Sequence, residues 1–149
     1  MPKIETSGKN KVNENIHHQY FVCDEYEKLH LLINFIKSQN KKRGIIFCRT
    51  KRATQDLAQQ LIEKNLITDT IHGDLYQKER EKVLRAFKNK NLQLIVATDI
   101  AARGLDIEAL SYVIHFQLPE SIEYYTHRSG RTARAGREGV SMAFVNSQE

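Results

Sequence analysis

Gly44-Ile45-Ile46-Phe47-Cys48 is apolar at every position after the glycine, with no alternation of polar and apolar residues. A strand that faces water on one side alternates, whereas a strand buried on both faces does not. The run therefore predicts a parallel strand covered by helices on both sides. Comparable runs recur at Gln19–Cys23, Thr70–His72, Gln93–Ala97, Tyr112–Phe116 and Gly139–Val145. Between them, apolar residues fall at helical spacing: Leu29, Leu32, Ile33 and Ile36; Leu57, Ala58, Leu61 and Ile62; Val83, Leu84 and Phe87. Asp24 with Glu27, and Asp74 with Gln77, suit the starts of the first and third of these helices. Strands alternating with helices of this length predict right-handed βαβ units and an open, mainly parallel α/β sheet with helices on both faces. In such sheets the chemistry gathers at the carboxyl ends of the strands. That directs attention to Arg49–Thr50, Gly73–Asp74, Thr98–Asp99 and the loop near Asp106.

The 149 residues suffice for one domain with a real core. Residues 1–15 carry Pro2, Gly8 and three lysines with little apolar content, and read as a linker or extended lead to a domain at 16–149. No apolar run approaches the ~20 residues that span a bilayer, and no apolar signal core opens the chain, so neither membrane nor secretion is expected. Cys23 and Cys48 lie in apolar runs and read as buried free thiols of a reducing compartment. No zinc spacing occurs, and no metal site is expected. His17, His18, His30 and His115 have no acids at ligand spacing and read as structural. The net charge of +5 favours a polyanionic partner such as nucleic acid.

Three segments concentrate the chemistry. Thr126-His-Arg-Ser-Gly-Arg-Thr-Ala-Arg-Ala-Gly-Arg137 holds Arg128, Arg131, Arg134 and Arg137 and no acid. On a helix this spacing would put the four on nearly one side. They form either a solvated basic patch or a cluster for phosphate, whose oxygens a guanidinium meets two at a time. Gly130 and Gly136, which permit turns and close approach, favour the second. In Val96-Ala-Thr-Asp-Ile-Ala-Ala-Arg-Gly-Leu-Asp-Ile107, Thr98 would either cap a short helix or donate to phosphate. Asp106 would either hold a turn or accept from a ribose hydroxyl. In His72-Gly-Asp-Leu-Tyr-Gln-Lys-Glu-Arg80, Arg80 would serve as an ordinary surface residue beside Glu79 and Glu81, or meet a phosphate. No Gly-x-x-x-x-Gly-Lys-Ser/Thr loop is present, so no cradle for the β- and γ-phosphates of a nucleotide is evident. Arginines for phosphate without a cradle describe half of a phosphoryl-transfer site.

These motifs resemble those of the C-terminal RecA-like domain of DEAD-box ATP-dependent RNA helicases, over about Asn15 to Val145. Ile45-Ile-Phe-Cys-Arg-Thr-Lys51 is similar to motif IV, and Gln77-x-x-Arg80 to motif IVa. Ala97-Thr-Asp-Ile-Ala-Ala-Arg-Gly-Leu-Asp106 is similar to motif V, and His127-Arg-Ser-Gly-Arg-Thr-Ala-Arg134 to motif VI. The leading His127 marks the DEAD-box branch; Ser129 and Ala133 occupy positions that the family varies. The resemblance implies that Arg131 and Arg134 reach across an interdomain cleft to the γ-phosphate of ATP. It implies that Asp106 holds the ribose with Gly104 beside it, and that His127 and Arg128 couple to the acidic motif of the other domain. Thr50, Gly73, Arg80 and Thr98 would grip RNA sugar-phosphate without reading its sequence. The family's first RecA-like domain, which carries the phosphate loop and the Asp-Glu-Ala-Asp motif and would hold Mg2+, is absent from these 149 residues. The piece alone is therefore expected to be nearly inactive. Short loops similar to those of bacterial members point to a cytoplasmic protein. Two other readings stay open: a non-enzymatic RNA-binding module, and a protein-docking platform using the helices near Lys51–Lys64.

Overall fold

The computed structural model describes residues 3–7, 15–73, 75–103, 105, 107, 110–132 and 138–146. In chain order the elements are β1 Lys3–Ser7, β2 Ile16–Val22, a 3-10 turn Glu25–Glu27, α1 Lys28–Ser38, β3 Gly44–Cys48, α2 Lys51–Glu63, β4 Thr68–Ile71, α3 Gln77–Lys88, β5 Leu94–Thr98, α4 Asp99–Ala102, β6 Tyr112–His115, α5 Ile122–Ser129 and β7 Gly139–Val145. The sheet has seven strands in the order β1-β2-β7-β6-β3-β5-β4. Strands β2 to β7 are all parallel, as the apolar runs predict. Part of the expected lead adds to the edge: β1 pairs antiparallel with β2, Lys3 opposite Val22.

β3 is buried at every position and feeds two cores. Ile46 and Cys48 join Leu32, Ile36, Leu57 and Leu61 beneath α1 and α2. Ile45 and Phe47 join Val83, Phe87, Ala101 and Val113 beneath α3 and α4. Alternate side chains thus enter opposite apolar layers, which is why the run shows no polar position. Burial pushes the Cys48 thiol up to about 12, and both cysteines are free and buried.

Gly44 opens β3 because the ring of Tyr112 lies where a Cβ would stand. Tyr112 is itself fully buried, edge-on to Phe35 at 5.4 Å between centroids. Gly44→Ala should therefore destabilise the fold by about 1–3 kcal/mol, the usual cost of overpacking. Pairing it with Tyr112→Leu should recover part of that loss in urea melts. No recovery would mean that the ring is not what excludes the methyl group.

The long helices end alike. Asn40 and Lys41 after α1, Asn65 after α2 and Lys90 after α3 hold φ between 52° and 66°, the left-handed turn that closes a helix. At the starts, Asp24 N–H donates to Glu27 at 3.0 Å, as predicted. The third helix departs from prediction: it starts at Gln77, and its Glu79 accepts from Tyr76 N–H at 3.2 Å. Gln77 is therefore the first helical residue rather than a cap partner, and Asp74 lies outside the described residues. Among the described residues no helix is long and apolar enough to cross a membrane.

Candidate functional site

The connection after β3 winds toward β4 and that after β6 toward β7, so the sheet changes direction between β3 and β6. Brackets of this kind open a crevice at the carboxyl edge. Arg49, the first residue after β3, braces it: its N–H donates to Gln117 Oε1 at 2.7 Å and its Nε to Leu118 O at 2.6 Å. Beside it runs a groove of about 280 Å³ lined by Arg49, Lys51, Gly73, Thr98, Glu120 and Tyr124, among others. Gly73 and Thr98, predicted from separate motifs, are brought together here.

Thr50 and Thr98 each cap a helix. Thr50 Oγ1 accepts from Ala53 N–H at 3.1 Å and Thr98 Oγ1 from Ala101 N–H at 3.3 Å. A hydroxyl has one proton and two lone pairs. Capping uses a lone pair only, so each threonine keeps a proton for an anion, and the capping and phosphate readings are compatible. The positive end of α2 adds to Lys51 in favouring negative charge at this edge. Arg80 lies apart from the groove lining. Its Nη2 donates to Ala101 O at 2.6 Å, so it braces α4 rather than standing as a free surface residue.

Arg128, which the resemblance couples to the acidic motif of another domain, is held within this one. It is 1% exposed and points inward. Nε and Nη2 donate to the two carboxylate oxygens of Asp99 at 2.6 and 2.7 Å. Nη1 donates to Gln117 O at 2.8 Å, and the guanidinium lies 5.0 Å from the Phe47 ring centre. The pair clamps α5 to the start of α4, which is why a buried charge is tolerated.

Arg131 is half-buried and lies on carbonyls at and just beyond the end of α4. Its Nη2 donates to Ala102 O at 2.7 Å and its Nη1 to Leu105 O at 2.5 Å. His127 is exposed at the end of α5. The predicted helical row of arginines does not form among the described residues, because α5 stops at Ser129. Gly130 is the cap residue in the turn that follows, with φ −65°, a value open to any residue. Gly104, Asp106, Arg134, Gly136 and Arg137 lie outside the described residues.

Under α5 the apolar layer gives way to a polar cluster. Burial, then the Arg128 charge, hold His115 well below the usual imidazole range, so it is neutral. Arg128 Nη1 stands 3.4 Å from Nδ1 and can only donate. The His115 proton therefore sits on Nε2 and is donated to Ser141 Oγ at 2.8 Å. Ser141 contacts Ser129 at 2.8 Å, and Tyr125 stacks on His115 while bonding His18 Nδ1 at 2.6 Å. The structural reading of His115 and His18 holds. His17 does have an acid, Glu138 at 3.6 Å, across strands that pair in register. Asp99 is a residue to which sequence reasoning directs attention without giving it a role. Its place at the end of a buried strand was visible, but its partner lies 29 positions away. Among the described residues no three of His, Cys, Asp and Glu gather as a metal site requires.

Residues 27–136 match the family model of the helicase conserved C-terminal domain. The chain is 37% identical over 147 residues to the DEAD-box ATP-dependent RNA helicase RhpA of Helicobacter pylori, covering 99% of this chain and 30% of that protein. It thus spans under a third of this curated relative. The crystal structure of a DEAD box protein from the hyperthermophile Methanococcus jannaschii superposes with a TM-score of 0.85 at 42% identity, over 93% of this chain and 38% of that one. E. coli DEAD-box protein SrmB, solved bound to the regulator of ribonuclease activity A, gives 0.81 at 34% identity, over 88% and 76%. The parallel sheet and these likenesses agree: the chain belongs to the helicase conserved C-terminal domain family, as the RecA-like C-terminal domain of a DEAD-box RNA helicase.

Proposed function

We propose that the chain is the second half of an ATP-dependent RNA helicase, supplying arginines to a nucleotide site completed by an N-terminal RecA-like domain and gripping RNA by its backbone. One observation carries the reading: Gly73, Thr98, Arg49 and Lys51 converge on one carboxyl-edge groove beside the Arg128–Asp99 clamp. The residues fit one side of an ATP site. Arg131 puts a cation at the edge, and the sequence holds no phosphate loop. Arg131 and Arg134 would meet the γ-phosphate after domain closure, Asp106 and Gly104 the ribose, and His127 the acidic motif opposite. Mg2+ would be held by the first domain. Bound ATP would draw the two domains together and then supply the phosphoryl group passed to water; this chain's part would be charge and positioning.

RNA would lie in the groove on the Thr50 and Thr98 hydroxyls and the Gly73 backbone, with Arg80 acting through α4. Such contacts ignore base identity. Residues 1–15 would join the two domains, and the protein would work in the cytoplasm.

The test is RNA-stimulated ATP hydrolysis by this chain alone and by the same chain joined to a first domain bearing a phosphate loop. Silence alone and turnover once joined are expected. Turnover by the chain alone would overturn the half-site reading. Silence in both would transfer the assignment to an RNA-binding or docking module.

A further inference from the structure

At the opposite edge, where the strands begin, lies a cavity of about 500 Å³. Its lining includes Lys41, Lys42, Arg43, Lys90, Gln93 and Ser111. These come from the turns before β3, β5 and β6, a full strand length from the carboxyl-edge groove. Every charged residue of the lining is a cation. Arg43 is engaged: its Nη1 donates to Phe87 O at 2.6 Å and its guanidinium covers the Phe87 ring. Lys41, Lys42 and Lys90 are exposed, and among the described residues none of them pairs with a carboxylate. Elsewhere cations do pair, as Lys28 with Glu25 and Arg52 with Asp56.

The ordinary account is that lysines near helix ends offset the helix dipole. That effect fades beyond the last turn. The last turns of α1 and α3 already hold Lys37, and Arg85 with Lys88. Lys41 and Lys90 lie past those turns. Both also occupy left-handed backbone, φ 63°, which asparagine or glycine adopts more readily, as Asn40 and Asn65 do in the same set of turns. Two lysines thus stand at positions that local conformation disfavours, on one cavity rim, without acids.

The neutral groups are the amides of Asn65 and Gln93 and the Ser111 hydroxyl; Ile67 and Leu92 are the apolar ones. Among the described residues no aromatic ring lines the cavity, so they offer nothing on which a base would stack. Ammonium groups are point charges that meet phosphate oxygens from many angles, whereas carboxylates favour the arginine fork. We infer that this amino-edge cavity is a second phosphate site, which takes the sugar-phosphate backbone of RNA flanking the strand held at the carboxyl edge. The inference rests on the helicase reading above.

The test is a salt titration of binding to a fluorescein-labelled RNA hairpin with a single-stranded tail, using the full chain. The variant is Lys41→Asn, Lys42→Gln, Lys90→Asn; asparagine suits the left-handed positions, and an unchanged thermal melt verifies the fold. Each phosphate contact contributes about 0.7–0.9 to the slope of log affinity against log salt. The triple variant should lower that slope by about 2 to 3 units, and Lys51→Gln at the carboxyl edge by about one. A slope lowered by Lys51→Gln but not by the triple variant would overturn the amino-edge site and leave the helicase reading standing. No binding by the parent chain at low salt would overturn both. Displacement of the hairpin by inorganic triphosphate at equal phosphate concentration would make the cavity a site for free polyphosphate and overturn the RNA assignment.

Discussion

Arg131→Ala, made in the protein that carries both domains, should lower RNA-stimulated ATP turnover by about 10³-fold or more, the range seen when an arginine finger is lost. RNA affinity should stay within a few-fold. The reason lies in where the side chain is stored. Its guanidinium donates to the carbonyls of Ala102 and Leu105, half-buried at the carboxyl edge. Bonds of that kind are exchanged at modest cost for an anionic phosphate oxygen, since charge-assisted bonds between two ions are the stronger class. Arg131→Lys keeps the charge but cannot span two carbonyls with a rigid fork, and should be nearly as slow. Unchanged turnover in Arg131→Ala would remove the residue from the nucleotide site. A matching loss of RNA affinity would assign it instead to holding Ala102 and Leu105.

Asp99→Ala should destabilise the domain by about 3–5 kcal/mol, the cost of leaving a buried charge without its partner. At this chain length that corresponds to about 2–4 °C of melting temperature per kcal/mol. Arg128→Leu should cost clearly less. The Arg128 side chain is 1% exposed and that of Asp99 is 21% exposed, so an abandoned carboxylate can reach water and an abandoned guanidinium cannot. The double substitution Asp99→Ala, Arg128→Leu should recover much of the loss. Equal costs for the two single changes, read from urea midpoints, would refute the asymmetry and with it the inward clamp.

The sheet was legible because β3, β5 and β6 are buried on both faces, which leaves an uninterrupted apolar signature in Ile45–Cys48, Leu94–Ala97 and Tyr112–Ile114. Gly73 and Thr98 were legible as neighbours because strand ends in a parallel sheet share one edge. Arg128 was not. Charge spacing describes a helix surface, but this side chain leaves the row and enters the core, drawn by a carboxylate on another element. The start of α3 was misplaced for a related reason: Asp74 and Gln77 have the capping spacing, yet so do Tyr76 and Glu79, and only packing of Val83 and Phe87 against the sheet selects the phase. The left-handed turns at Lys41 and Lys90 had no signal, because neither is the glycine or asparagine that usually announces one.

The second strand in sequence pairs along its whole length with the last, Ile16 opposite Gly139 and Val22 opposite Val145. A ribosome emits these partners some 120 residues apart. At roughly 5–20 residues per second the earlier strand waits many seconds for the later one. Throughout that interval its only sheet neighbour is the hairpin partner before it. Vectorial synthesis therefore cannot finish this sheet from the leading end. The half built on β3, β5 and β4 can condense first, and the seven residues of β7 act as the keystone that admits β2. Nonsense truncation just before Gly139 would thus remove one strand and orphan two more.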